Sequence, residues 1–500
     1  ATGGWPWTDF TPRGTVRRVK WDAVENGNAV SERVFDEGVP LIIEDAPLEN
    51  WKALRWTPEI IQRQVDVLTN VYVGERELFL YYHDDADLKD SILKGHAARG
   101  WQPVYHLENM TTTHFFDQCH KVAERSEEAR VSKSGNMLHY YFTGDLKIWR
   151  NGPGSSIVDE ASASLTRRLF KVPKRFRTSR GNSQEQIVWL GCDGITASTH
   201  YDTVHNFFVQ IYGGKEFTIF PPSAHAGLHL HPKSHPSWTQ AQVVNLEEID
   251  LGRYPLFSSI AKGYSVAVKP GDVLYLPPFW FHRVRSVGIS IAVALWSDTN
   301  LVDLISDTFS SPVPFEADWT DEKKWIATAR YLAIIADKFG PTRDAARRLL
   351  HVLSTSRYLS PCVPPKLEQN GCGKESICSV ERFQPSGLEK KFDRYAQKLI
   401  QAIKRMGPQG VSELKLFDFF DDLISWGSQG KEPNDCQSST CLASSQFCGD
   451  SKIESGGKKT ETKAGDASDD SNEETSISSG DRNDENSSKL VCWALQHCFV

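Results

Sequence analysis

Long apolar runs are the first thing this 500-residue chain lacks: no stretch of about 18 uncharged hydrophobic residues occurs, which excludes a membrane-spanning helix. Residues 1–18 hold no run of signal-peptide type, being broken by Pro6, Pro12 and several glycines, so an intracellular protein of cytoplasm or nucleus is expected. Cysteine is scarce along most of the length. Only Cys119 and Cys192 precede residue 360; the others lie at 362, 372, 378, 436, 441, 448, 492 and 498, and no C-x-x-C pair occurs. That distribution argues against a disulfide framework running evenly through a secreted core. Cys362, Cys372 and Cys378 could form a zinc site or be ordinary loop thiols, and their spacing fits none of the usual ligand patterns. The body also lacks net charge of either sign. Of the formal −7, residues 431–500 account for −6, with 7 Lys/Arg against 13 Asp/Glu, which leaves −1 for residues 1–430. Whole-chain acidity therefore says nothing about partners, and local clusters must decide.

Apolar material is plentiful. With 39% hydrophobic and 11% aromatic residues the chain can fill a large core and is neither wholly disordered nor collagen-like. Residues 39–43 (VPLII) read as a buried strand, and Thr57-Pro58-Glu59 reads as the capped start of a helix running to about Val65. From 187 to 296 the pattern turns to short strands with Gly/Pro punctuation, which predicts a β-barrel or sandwich. Within it, FFVQIY and EFTIF around Gly213-Gly214 read as one hairpin, and residues 265–268 and 273–276 around Lys269-Pro270-Gly271-Asp272 as a second. Beyond 300 the period is helical. Apolar faces recur at Trp325, Ala329, Leu332 and Ile335, then at Ala345, Leu349 and Val352, then at Phe392, Leu399 and Ile403, with a fourth helix at 414–426. These C-terminal helices suit either a homodimer or packing on their own chain. Residues 427–489, rich in Ser, Asp, Glu and Gly, bury too little apolar area to order themselves. Four stretches follow: an N-terminal α/β segment flanking the barrel (1–130), a mainly β catalytic core (131–300), a helical region (301–426) and a disordered acidic tail (427–500).

Thr199-His200-Tyr201-Asp202 is the most informative string. Alternate side chains of an extended segment share a face, so His200 and Asp202 could grip one ion, and imidazole with carboxylate suits Fe(II). His282, in Pro278-Phe279-Trp280-Phe281-His282, lies eighty residues after Asp202 and could complete a facial two-His-one-carboxylate set. An H-x-D triplet alone is weak evidence. Here each half lies at a strand end within one strand-rich region; the plain alternative is a set of polar residues on an iron-free barrel.

The run THYDTVHNFFVQIYGGKEFTIFPP, followed by RYPLF, KPGDVLYLP and WFH, resembles the JmjC-type oxygenases over about residues 35–360. Within that family it most resembles the small hydroxylases of the tRNA wybutosine and asparaginyl types. The resemblance implies a double-stranded β-helix of cupin/JmjC type with flanking helices, iron ligands His200, Asp202 and His282, and use of Fe(II), 2-oxoglutarate and O2. It further implies that Lys215 pairs with the far carboxylate of 2-oxoglutarate, that Asn206 lines the site, and that Tyr141 contacts the cosubstrate; a hairpin lysine and a core aromatic are the plain alternatives for Lys215 and Tyr141. Where the asparaginyl enzyme has threonine and asparagine, this chain has Ala197 and Ala294, so cosubstrate contacts are expected to shift to Thr199.

Two clusters remain. Arg167, Arg168, Lys171, Lys174, Arg175, Arg177 and Arg180, interleaved with Phe170 and Phe176, are either a solvated flank or an RNA contact that holds the backbone and stacks a base. His225, His229, His231 and His235 either bind a second metal or occupy a variable loop. The expected function is hydroxylation of a macromolecule, with a hypermodified tRNA base as the leading substrate. Protein side-chain hydroxylation, lysine demethylation and a non-catalytic scaffold are the alternatives.

Overall fold

In the computed structural model, the described residues fall within 7–309 and 388–418, interrupted chiefly at 80–104, 125–137, 151–157, 180–183 and 232–236. One large sheet comprises β1 (Arg17–Lys20), β2 (Leu41–Glu44), β3 (Val67–Gly74), β4 (Leu78–Phe79), β5 (Tyr105–Thr111) and β6 (His139–Asp145), all from the first third of the chain. It continues through β7 (Gln184–Gly191), β8 (Thr196–Tyr201), β9 (Val204–Phe220), β10 (Tyr264–Val268), β11 (Val273–Leu276) and β12 (Phe281–Asp298). Neighbours run in the order β1-β2-β11-β9-β12-β7-β6-β3-β5, with β8 attached to β12 and β4, and β10 to β9. Strands from residues 1–130 thus extend the same sheet on both sides of the core strands.

Alternation along β9, β11 and β12 sorts the core into two faces. Phe207, Val209, Tyr275, Val293 and Leu295 pack with Phe35, Trp51, Trp56, Phe115 and Phe116, while Phe208, Leu274, Ala292 and Ala294 pack with Phe217, Ile219 and Val266. Burial on both faces explains why these strands read as continuous apolar runs. The β-rich architecture with flanking helices is that of the expected double-stranded β-helix.

Both hairpins read from the sequence are absent. FFVQIYGGKEFTIF lies inside the single strand β9, which pairs along its length with β12 through register shifts between Gln210 and Gly214. Gly213 has φ +63, and a Cβ there would lie 2.0 Å from the Ile289 carbonyl oxygen, so the glycine lets two long strands pass closely instead of reversing one. β10 and β11 pair with separate stretches of β9, Lys215–Ile219 and Asn206–Val209, and the KPGD turn carries the chain between them.

Among the helices, α1 (Glu32–Glu37) is capped by Ser31 and stopped by Gly38 at φ 55, and α2 (Pro58–Gln64) begins where Thr57 accepts from the Ile60 N–H. Further helices are α3 (Thr112–Ala123), α4 (Glu160–Leu169), α5 (Asn300–Phe309) and α6 (Leu388–Lys404). The α6 face read from the sequence is buried at Leu399 and Ile403, and α6 packs on α5, so this chain itself covers that face. The expected helices at 325–335 and 345–352, the cysteines at 362, 372 and 378 and the tail from 427 lie outside the described residues; the fourth helix meets them only at Leu414, Lys415 and Asp418. Cys119 of α3 and Cys192 after β7, both fully buried, form a disulfide that ties the helix to the sheet. No helix among the described residues is long and apolar enough to cross a membrane.

Candidate metal centre

β8 and the start of β12 run antiparallel with His200 directly opposite His282. Alternation puts Asp202 on the same side as His200, and the three side chains offer ligand atoms that all lie within 4.8 Å of one another. Asp202 Oδ2 is 3.6 Å from His282 Nε2, and the imidazole centroids are 4.3 Å apart. His200 Nδ1 lies 2.7 Å from the Ser198 carbonyl oxygen and His282 Nδ1 lies 3.1 Å from that of Trp280. A carbonyl can only accept, so Nδ1 carries a proton in both rings and Nε2 is the atom turned to the shared space. Burial first and His200 second pull His282 down to about 4, against opposing effects of Asp202 and the Trp280 carbonyl, so the imidazole is neutral at pH 7. Two imidazoles and a carboxylate within one small space fit a divalent transition metal.

The triad opens onto a cavity of about 360 Å³. Lys215, Asn206 and Tyr141 all line it, as the sequence reading expected. Lys215 is fully buried, its Nζ 3.1 Å from Ser286 Oγ and 5.3 Å from the Tyr141 ring centroid, and burial pulls the amine down to about 7. Asn206 Oδ1 and Trp296 Nε1 are buried without a hydrogen-bond partner, and these residues face each other in the β9–β12 register. A buried amine and an unpartnered indole N–H, both donors, in one cavity fit a small dicarboxylate. Thr199 does not belong to this set. It is fully buried but absent from the cavity lining, because it alternates with Ser198 and His200, which do line it. Trp296, Ser286, Ser198 and Gln240 were missed as site residues. For Ser198 the signal was available: it stands two positions before His200.

The outer wall is aromatic. Tyr72 of β3, Phe79 of β4 and Tyr105 of β5 line the cavity with rings 4.8 to 6.4 Å apart, and Phe79 continues the wall to Tyr141 at 5.9 Å.

A family model described as a cupin-like domain matches residues 28–301, more than half of the chain. The chain belongs to the cupin-like, JmjC-type family. Its relatives include the tRNA wybutosine-synthesizing protein 5 of Homo sapiens, 32% identical over 182 residues, covering 36% of this chain and 53% of the relative. Jumonji C domain-containing protein 5 of Drosophila melanogaster is 34% identical over 108 residues, 22% of this chain and 26% of the relative. Lysine-specific demethylase JMJ31 of Arabidopsis thaliana is 29% identical over 124 residues, 25% of this chain and 22% of the relative. The chain thus spans about a quarter to a half of the length of these relatives.

Outside the centre, the cupin-like chain corrects one reading of the basic cluster. Phe170 is fully buried and stacks on Phe207 at 5.0 Å, so it offers no face to a base, while the partly buried Phe176 packs on Phe35 at 5.6 Å. Arg175 is paired with Glu32 at 3.0 Å and Asp36 at 2.5 Å. Arg168, Lys171 and Lys174 are exposed, and Arg180 lies outside the described residues. His225, His229 and His231 do not form a metal-binding group; the triad is the only such group among the described residues, and His235 lies outside them.

Proposed function

We propose that this chain is an Fe(II)- and 2-oxoglutarate-dependent dioxygenase that hydroxylates a macromolecular substrate, foremost a hypermodified, wybutosine-type tRNA base. The observation that carries the reading is the joining of His200, Asp202 and His282 with the buried amine of Lys215 in one cavity. Bound iron would supply the redox chemistry that couples decarboxylation of 2-oxoglutarate by O2 to insertion of one oxygen atom into a substrate C–H bond. In this reading His200, Asp202 and His282 hold the metal, and Lys215 neutralises the far carboxylate inside a site that excludes water. Trp296 orients the cosubstrate by donating its indole N–H, which has no acceptor in the protein, and Asn206 lines the site beside it. The aromatic wall of Tyr72, Phe79 and Tyr105 supports a planar substrate, because a flat base stacks on such rings. The name of the human relative supports tRNA.

Protein side-chain oxidation or lysine demethylation is the second reading, favoured by the Arabidopsis relative named a lysine-specific demethylase. Purified protein with Fe(II) is expected to form succinate from 2-oxoglutarate, stimulated by the true substrate, and His200→Ala to abolish it. Nucleosides of tRNA from cells lacking the protein should lose the mass of one oxygen atom from a hypermodified base. An unchanged tRNA profile with a lost oxygen in a protein residue would move the substrate to protein, and absence of succinate with every substrate would leave the scaffold reading.

A further inference from the structure

A lysine more than two hundred residues downstream of His200 and Asp202 reaches the back face of the triad. Lys415 and Asp418 stand three residues apart in a helical stretch, each side chain 1% exposed, with Nζ and Oδ2 2.6 Å apart. Lys415 Nζ also donates to the Tyr201 hydroxyl at 3.1 Å and lies 5.2, 5.3 and 5.1 Å from the ring centroids of Tyr201, Trp238 and Phe279. Each of these rings belongs to a different segment that builds the centre. Tyr201 sits between His200 and Asp202, and alternation turns it away from the cavity. Phe279 belongs to the turn that delivers His282; its N–H donates to the Asp202 carbonyl at 2.8 Å, and it holds a left-handed φ of 67 that an aromatic residue rarely adopts. Trp238 precedes Thr239, whose carbonyl accepts from the Tyr201 N–H at 3.1 Å, and Ser237, Thr239 and Gln240 line the cavity.

A buried ion pair is a poor device for stability alone, since desolvation offsets its attraction and apolar residues of similar size usually serve as well. A cation surrounded by three rings, each from one wall of the centre, fixes those walls relative to one another. We propose that Lys415, held by Asp418, is a positioning residue: the C-terminal helical stretch clamps the back of the triad and sets the spacing of His200, Asp202 and His282. The inference rests on these three being metal ligands, as proposed above.

Binding of Co(II), followed by calorimetry and by the visible absorption of the bound ion, tests the clamp. In the full chain, Lys415→Met with Asp418→Leu removes both charges of the pair together. Co(II) affinity is expected to fall at least ~10-fold, the range found for residues supporting ligands from behind, with an altered visible spectrum and a metal-free melting temperature within a few degrees of wild type. Affinity and spectrum unchanged in a folded double variant overturn the clamp alone. Wild-type protein that binds no Co(II) overturns the metal reading and the clamp with it. Should the double variant not fold, Trp238→Leu decides, because it removes one ring from a partly exposed position: a fall of about 3-fold supports the clamp and no change overturns it.

Discussion

Lys215 shows how one residue ties burial to binding. Its amine is pulled down to about 7, so in the ligand-free protein it loses its proton just above neutrality. A bound carboxylate favours the charged form, and binding above pH 7 must therefore take up a proton. The dissociation constant for 2-oxoglutarate is expected to rise up to ~10-fold per pH unit above pH 7, and calorimetry in buffers of different ionisation heat should find uptake of about one proton at pH 8.5. The folded pKa lies below the unfolded value, so this lysine lowers stability progressively as pH falls from about 10 towards 7. Lys215→Met should thus raise the melting temperature more at pH 7 than at pH 10 while it abolishes the pH-dependent binding. Trp296→Phe, which keeps a ring but removes the N–H, should weaken 2-oxoglutarate by about 1 kcal/mol, or ~5-fold, in the same titration. At this scale His200 and Asp202 were legible as a pair because spacing two apart forces a shared face, whereas His282, eighty residues on, was read from its place at a strand end and from the family resemblance. Alternation with Ser198 and His200 turns Thr199 away from the cavity lining, and Trp296 escaped because its unpaired N–H is visible only once β9 lies beside β12.

The elements were legible where their signals are local. Thr57-Pro58-Glu59 and the apolar run VPLII need only their own neighbours, and they are observed as α2 and within β2. The glycines at 213 and 214 were not, because a hairpin and a bulge both ask for positive φ, and only a partner some seventy residues downstream decides between them. That distinction has an energetic signature. At Gly213 an alanine would meet both a strained φ of +63 and the Ile289 carbonyl at 2.0 Å, whereas at Gly271, with φ +90, nothing lies within 4 Å of the new Cβ. Gly271→Ala should cost about 1 kcal/mol from the backbone alone, and Gly213→Ala roughly 3 kcal/mol or more, since β9 and β12 must separate. Urea unfolding of the two variants checks the difference; equal midpoints would mean that the close strand passage is relaxed.

Across the whole molecule, contacts distant in sequence were the least legible: strands of residues 1–130 extend the sheet, Cys119 meets Cys192, and Lys415 meets Tyr201. Such pairs carry no local period, and only the closed fold brings them together. The same distance effect divides the basic cluster, which in sequence is one run of like charge. In the fold Phe170 and Phe176 turn into the core and Arg175 is held by Glu32 and Asp36, which leaves Arg168, Lys171 and Lys174 on the surface. If tRNA is the substrate, these three are exposed among the described residues of the cluster and placed to neutralise phosphates, and their contribution must depend on salt. Simultaneous Arg168→Glu, Lys171→Glu and Lys174→Glu should weaken tRNA binding and lower the slope of log K against log salt by about 2 to 3, as each lost phosphate contact removes a little under one unit. Arg175→Glu should act differently, lowering stability by placing like charge beside Glu32 and Asp36. Succinate formation without substrate should be unaffected by the triple variant, which separates substrate docking from the centre. An unchanged salt slope in a protein that does bind tRNA would remove this face from the contact and place the phosphates elsewhere.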